Sequence, residues 1–491
     1  MNAALRRVAV AALVLFGLLF ANVHYVQVLA ADRLRHDDRN SRLLAESYAK
    51  ERGVIVVGTG AIASSVETKD RLKYLRVYAG GRDAGLAASY APITGYYSLV
   101  YGDSGLEDSY DGILSGEDSR LFVRRVTDLI TGRQSKGGLI RLTVDPQVQA
   151  VAQRALGNRR GAVVALDPRT GAILAMVTSP SYDPNLLASH NPAKIRDAYR
   201  RLVDDPARPL RNRATQEVYP PGSTFKIITA AAALESGMQP ESLVPCPREL
   251  KLPLTRDTVI RNFGGASCEA PQVPLLAAFQ KSRNTSFGSL GLSLGGERLR
   301  EQAERFGFNA EPDFPLPLDR SVVPEGLNQP QSAQSAIGQF DVRATPLQMA
   351  MVAAAVANRG TVMRPYVVSS VEAPDLKVLE KAEPERFGDR PAVSERTAAA
   401  LVAMMEAAVG PGGTGTAAAI PGVRVAGKTG TAQRGEGQLA HAWFVGFAPA
   451  DAPRIAVAVL IEAGGGVPDA TGGRVAAPVA GEVLRAGLAG R

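Results

Sequence analysis

An α+β fold is predicted: one transmembrane helix, a small α+β N-terminal module, and a larger domain with a mostly antiparallel five-stranded sheet flanked by helices. Three observations predict it. Val8 to Ala31 carries no charge. Gly161–Leu166 and Ala172–Val177 are apolar runs joined by Asp167-Pro168-Arg169-Thr170-Gly171, which is strong hairpin chemistry. Three more strand patterns, Val423–Ala426, Ala442–Phe447 and Ile455–Ile461, precede a helical pattern over Ala477–Ala489. Hairpin and late strands together supply the sheet. Ala-rich helices at Ser223–Ser236, Pro346–Asn358 and Ser394–Val409 are placed to cover it.

The elements follow in order. Arg6 and Arg7 precede the uncharged run, and about 20 such residues span a bilayer as a helix. Asn22, His24 and Gln27 weaken the far end, so the core span is Val8 to Tyr25. The short basic tail places the N-terminus in the cytoplasm and the rest outside. A cleaved signal peptide, cut after Val28-Leu29-Ala30, is the alternative. The run is long for that, so residues 1–31 are read as tail and anchor. Asp32 to Ser41 is a polar exit, and Arg39 to Lys50 carries Leu43, Leu44 and Tyr48 at helical spacing. Gly53 to Gly58 reads as a buried strand between glycine stops. Gly- and Tyr-rich turns fill residues 79–116, and Arg133 to Gly138 is a candidate linker. Residues 32–138 are thus one module and 139–491 the next. Leu139 to Val144 reads as a strand, and Asp145-Pro146 opens a helix through Leu156.

Composition narrows the function. The chain has 491 residues, 45% hydrophobic and 21% charged, enough for two or three cores and unlike a disordered protein. The net charge is +8, but the arginines are scattered without aromatic interleaving, so no nucleic-acid partner is indicated. The four histidines are far apart and no C-x-x-C or H-E-x-x-H pattern occurs, so no metal is expected. Cys246 and Cys268 lie in a Pro- and Gly-containing stretch. Outside the cytoplasm they could close a loop worth about 3 kcal/mol. Two separate buried thiols are the alternative.

Three short motifs carry chemistry. Ser223-Thr224-Phe225-Lys226 follows Tyr219-Pro220-Pro221-Gly222 and opens an apolar helix. Residues three apart share a helix face. A desolvated Lys there can serve as base for a Ser nucleophile, and the helix N-terminus favours a developing oxyanion. An N-cap Ser with a surface Lys is the ordinary reading of that motif alone. Ser282-Arg283-Asn284 alone reads as a polar loop. Lys428-Thr429-Gly430-Thr431 follows the alternating Val423–Ala426. On a strand edge it offers a cation, two hydroxyls and backbone N–H groups to an extended peptide and its carboxylate. Alone it reads as a strand ending in a Gly turn.

Taken together, the motifs resemble the penicillin-binding protein and serine β-lactamase superfamily, whose signature is S-x-x-K, S-D-N and K-T-G in that order. Arg283 stands where that form has Asp, as the S-x-N of penicillin-binding proteins allows. Arg52-Gly53-Val54-Ile55, the Tyr101 to Gly116 segment ending Leu-Ser-Gly, Gly161–Asn185, Gly338–Pro346, Gly427–Gln433 and His441–Pro449 are similar to class B members, nearest the actinobacterial PbpA type. The similarity covers nearly everything from Arg39 onward. Residues 32–138 are too short for the glycosyltransferase of class A and lack its acidic motif.

The resemblance implies a serine D,D-transpeptidase that cross-links peptidoglycan stem peptides and is acylated by β-lactams. Ser223 would attack the penultimate D-Ala carbonyl and Lys226 would take its proton. Ser282 and Lys428 would relay a proton to the departing D-Ala, and Asn284 would hold the substrate amide. The backbone N–H groups of Ser223 and Thr431 would form the oxyanion hole. Thr429, Gly430 and Thr431 would bind the carboxylate end. No cofactor is implied. The 32–138 module would be a pedestal for partners, among them a SEDS-family glycosyltransferase and other division or elongation proteins.

Other readings are a D,D-carboxypeptidase and a non-catalytic scaffold of the division complex. A class A β-lactamase needs a Glu four residues before an Asn; in Pro324-Glu325-Gly326-Leu327-Asn328 that place is Pro324. Gly422 to Thr429 fits the P-loop string G-x-x-x-x-G-K-T but is itself β-patterned. Gly410–Gly415 fits G-x-G-x-x-G but follows a helix, and Gly102-Asp103-Ser104-Gly105 lies in the small module without a suitable His.

Overall fold

A computed structural model of the chain describes residues 3–30, 47–132, 134, 136–433, 435 and 437–489. The polar exit expected at 32–41 lies outside them, as does most of the helical pattern expected over 39–50. Helix α1, Ala3–His24, continues through a π-helical turn at Tyr25–Leu29. The 25 residues Leu5–Leu29 are long and apolar enough to cross a bilayer.

Strands β1 (Ile55–Val57), β2 (Gly60–Glu67) and β3 (Tyr74–Tyr78) form an antiparallel meander. Strand β4 (Leu139–Leu142) pairs parallel with β1. The expected linker before it is closely packed at its end: a Cβ on Gly137 would collide with Leu114 O, and Gly138 N–H donates to Ile113 O at 2.8 Å. Asp145 then caps helix α2 (Pro146–Leu156), its carboxylate accepting from the Gln147 and Val148 N–H groups.

The hairpin β5 (Gly161–Leu166) and β6 (Ile173–Ser179) turns through Gly171 at φ +83°. After it come helices α3 (Lys226–Glu235), α4 (Asn284–Leu294) and α5 (Pro346–Ala357). Strands β7 (Val368–Glu372) and β8 (Val378–Lys381) return to the first sheet and complete it in the order β8-β7-β4-β1-β2-β3. Helix α6 (Glu395–Val409) leads to β9 (Ala426–Ala432), β10 (His441–Ala448), β11 (Ile455–Ile461) and α7 (Ala477–Ala489).

The second sheet is the expected five-stranded antiparallel one, ordered β9-β10-β11-β5-β6. Val164, Leu166, Val445 and Ala458 join the core that contains α3 and α5. Their neighbours Val163, Ala165, Phe444 and Val457 join the core under α2 and α7. Burial of both faces explains why these strands read as continuous apolar runs.

One expected strand is displaced. The alternating pattern puts the strand at Val423–Ala426 with the Lys428 motif on a strand edge; β9 begins only at Ala426 and carries the whole motif within it. Regular pairing starts at Ala426↔Phe447, and beyond it Ala450 N–H donates to Arg424 O at 2.8 Å across the irregular step at Pro449, where no N–H is available. Gly430 stays in the strand because close packing demands it: a Cβ there would sit 2.9 Å from Pro221 O and 3.0 Å from Thr224 Cγ2.

Candidate active site

The nucleophile candidate sits on a tighter turn than an α-helix provides. Gly222–Phe225 is a 3-10 turn, and α3 begins only at Lys226. At three residues per turn, side chains at i and i+3 eclipse, so Ser223 and Lys226 fall on one face of the turn. Gly222 makes the turn possible, with φ +53° and Thr431 O 3.0 Å from where its Cβ would lie. Its N–H donates to Gly338 O at 2.9 Å, and a Cβ on Gly338 would collide with Gly222 O. Trp443 Nε1 on β10 donates to Pro220 O at 3.0 Å. The turn is thereby held from the sheet and from the Gly338 segment.

Ser282-Arg283-Asn284 forms a joint between two helices. Helix Leu275–Gln280 ends in a Schellman closure: Ser282 N–H donates to Phe279 O at 3.0 Å and Arg283 N–H to Ala278 O at 2.8 Å. Ser282 takes the left-handed position, φ +55°, where Gly or Asn is usual. Asn284 then starts α4.

These elements bring the three motifs together. Lys226 Nζ donates to Ser282 O (2.8 Å), Ser282 Oγ (3.2 Å) and Asn284 Oδ1 (2.8 Å). Lys428 Nζ donates to the same Ser282 Oγ at 2.9 Å and to Thr429 O at 2.9 Å. Both lysines are fully buried. Phe287 lies beneath Lys226 at 5.3 Å and Phe279 beneath Lys428 at 5.6 Å. Burial pushes the Lys226 amine well below its ordinary value, and the Lys428 charge adds to that. Burial lowers Lys428 to about 7. Two amines sharing one hydroxyl out of water cannot both stay charged cheaply, so one of them is an available base at neutral pH.

The far end of β9 supplies hydroxyls. Thr429 Oγ1 lies 2.6 Å from Thr414 Oγ1, and Thr431 Oγ1 accepts from Gly472 N–H at 3.4 Å. The Gly410–Gly415 stretch is therefore a loop that reaches this site, with Lys281 Nζ donating to Gly412 O at 2.8 Å. Cys246 and Cys268 are joined by a disulfide, Cα–Cα 6.0 Å. It stands behind Asn284: Asn262 Nδ2 touches Cys268 Sγ at 3.6 Å, Asn262 Oδ1 accepts from Thr285 N–H at 3.1 Å, and Asn284 Nδ2 donates to Arg261 O at 3.0 Å.

Sequence reasoning missed several supporting groups. Thr414 had a signal in its Gly-Thr-Gly setting. Fully buried Arg213 pairs with Glu462 at 2.8 Å, and the Tyr219 hydroxyl donates to the same carboxylate oxygen at 2.8 Å. Burial works against the Glu462 carboxylate, but Tyr219, Arg213 and Arg160 hold it below its ordinary value. A Glu directly after the last apolar residue of β11 is the one hint the sequence offers. The rejected motifs have structural explanations. Asn328 forms a capping box with Gln331 at the start of helix Gln329–Ser335, and Ser104 Oγ accepts from Tyr96 N–H at 3.1 Å.

Comparison with known proteins gives the family. Residues 161–485 match the penicillin binding protein transpeptidase domain, and residues 52–140 match the penicillin binding protein A dimerisation domain. The chain is 48% identical to the peptidoglycan D,D-transpeptidase PbpA of Mycolicibacterium smegmatis, over 99% of both chains. It is 45% identical to that of Mycobacterium tuberculosis over 100% of both. The ceftriaxone acyl-enzyme structure of M. tuberculosis penicillin-binding protein A superposes with a TM-score of 0.86 at 44% identity, covering 90% of this chain and 100% of that one. Its penicillin G acyl-enzyme gives 0.83 at 44% identity, covering 89% and 100%.

Proposed function

The chain belongs to the penicillin-binding protein transpeptidase family, and from that premise we propose that it is a membrane-anchored serine D,D-transpeptidase of peptidoglycan, acylated by β-lactams on Ser223. The observation that carries the site assignment is the shared hydroxyl: Lys226, one turn along the chain from Ser223, and Lys428 meet at Ser282 Oγ.

The Ser223 hydroxyl adds to the carbonyl of the penultimate D-Ala and its proton passes to neutral Lys226. A base so placed is typically worth about 10²–10⁴ in rate. The backbone N–H groups of Ser223 and Thr431 take the oxyanion, each donor worth about 10²–10³. As the C–N bond breaks, the proton held by the lysines passes through Ser282 to the departing D-Ala amine. Asn284 holds the substrate amide, and Thr429, Gly430 and Thr431 hold its carboxylate end. An acceptor amine then attacks the ester, gives up its proton, and returns Ser223 to its hydroxyl form.

The address follows from the uncharged run of α1 and from Arg6 and Arg7, which precede that run. Residues 1–31 are tail and anchor, 32–138 the pedestal, and 139–491 the transpeptidase unit, both outside the cytoplasmic membrane. The disulfide is consistent with an oxidising compartment. We assign the pedestal and anchor to contacts with a SEDS-family glycosyltransferase and the division or elongation machinery.

The test uses the full chain in detergent with a fluorescent penicillin. A label that persists for many minutes and is absent from Ser223→Ala is the expected result. Rapid loss of label would instead mark a β-lactamase, and no label on folded protein would leave a scaffold.

A further inference from the structure

The pedestal helix Phe122–Thr131 is turned inside out. Phe122, Val126 and Ile130 are spaced four apart and share one side of it. They are 58%, 39% and 79% exposed. The opposite side carries Leu121, just before the helix, and Asp128, and both are buried. A helix facing water does the reverse, apolar side inward and acid outward. A buried acid behind an exposed ridge of Phe, Val and Ile marks a surface made to meet something other than water.

The place of the helix in the chain says what that is. Lys50 Nζ lies 3.2 Å from Glu117, just before the segment, and Glu51 lies 2.6 Å from Lys136, just after it. Gly137 N–H also donates to Glu51 O at 3.0 Å. The helix therefore stands where the chain enters the pedestal from the anchor. Residues 31–46, at most about 55 Å of chain, separate the apolar span from Ser47. Residues 119–136 hold five cations, Arg120, Arg124, Arg125, Arg133 and Lys136, against the single acid Asp128. Arg120 and Arg124 also reach Glu380 and Asp375 on the β7–β8 hairpin, at 2.5 and 2.7 Å, which fixes the helix in place. A basic amphipathic helix tethered this close to a bilayer suits an anionic lipid surface. One convex ridge of three side chains falls well short of the about 800 Å² per side that a stable protein interface takes.

We propose that the helix Phe122–Thr131 lies on the outer leaflet of the cytoplasmic membrane, with Phe122, Val126 and Ile130 among the upper acyl chains and the basic residues of its segment at anionic headgroups. It gives the pedestal a second foothold beside α1. This rests on the membrane-anchored reading above.

Trp443 is the chain's one tryptophan and is fully buried, so an added tryptophan reads above a constant background. Full-length protein carrying Val126→Trp, Ile130→Trp, Phe20→Trp or Leu254→Trp is reconstituted into phosphatidylglycerol vesicles, with or without bromine high on the acyl chains. Phe20 lies in α1 and reports the anchor. Leu254 is an exposed position of the transpeptidase unit. Val126→Trp and Ile130→Trp are expected to lose most of their added emission to the brominated lipid, as Phe20→Trp does, while Leu254→Trp keeps its own. Circular dichroism and fluorescent-penicillin labelling verify that each variant is folded. Quenching of Phe20→Trp without quenching of Val126→Trp and Ile130→Trp overturns the foothold while the anchor stands. Equal quenching of Leu254→Trp overturns it too. So does a blue shift of Val126→Trp and Ile130→Trp that follows protein density and not bromine, which would mark a second copy of the chain. No quenching of Phe20→Trp overturns the anchored reading itself.

Discussion

Lys226 and Lys428 approach the same oxygen, at 3.2 and 2.9 Å, and that arrangement fixes the pH behaviour of the site. Both amines are pushed down by burial, Lys428 to about 7. Acidification through about 7 charges Lys428, and further acidification then puts a second positive charge on Lys226 in the same desolvated site and removes the base. Acylation by penicillin is therefore expected to fall on the acid side of about 7, read as the second-order rate constant against pH. The same shift has a stability sign. The unfolded lysine keeps its ordinary value of 10.5, so between about 7 and 10.5 the unfolded chain binds the extra proton and stability rises with pH. Lys428→Met is expected to abolish acylation, raise the denaturation midpoint at pH 7, and flatten its rise towards pH 9. Such a trade is usual where function keeps a strained polar group buried.

The hairpin Glu249–Lys251/Val259–Arg261 and the disulfide beside it back the Ser282–Asn284 joint. Replacing Cys246 and Cys268 with Ser is expected to cost about 3 kcal/mol, from the loop the bond closes, measured by chemical denaturation. It should also slow acylation, because Asn284 is tied to Arg261 O. Elements of this kind divide by how their information is written. Strands β5 and β11, with helices α2 and α7, were legible because period, caps and turn residues are local. The displaced start of β9 was not, since it depends on where its partner meets Pro449. Nor was the 3-10 turn under Ser223, which is imposed by contacts with Gly338 and Thr431 far along the chain. The left-handed Ser282 carries no glycine signal at all. The motif residues were legible as a set, whereas Tyr219 and Arg213 matter through spatial contacts that no short pattern encodes, and Thr414 and Glu462 carry only faint local signals.

Across the molecule, one apolar cluster runs from Ile55 and Ile140 through Val371 to α3 and α5. At the pedestal end it encloses a charged knot. Glu107, with no exposed surface, accepts from Arg52 Nε at 2.7 Å and Arg76 Nε at 2.7 Å, and the Tyr78 hydroxyl lies 3.1 Å away. Burial works against this carboxylate, but Arg76 and Arg52 outweigh it and hold it below its ordinary value of 4.5. Its contribution to stability is thus full above about 4.5 and is lost as pH falls through the folded value. Glu107→Gln takes the counter-charge from buried Arg76 and leaves Arg52 with Asp111, 2.6 Å away. It is expected to destabilise the protein by about 3–5 kcal/mol at pH 7 and to weaken its loss of stability on acidification below about 4.5, both read from denaturation midpoints. The knot guards β1, and β1 is bonded to β4, which is bonded to β7 from beyond residue 360. Strands from residues 55–57, 139–142 and 368–372 are thus neighbours in one sheet, so the early segment is stitched to one from far along the chain like a hem caught into the body of the cloth.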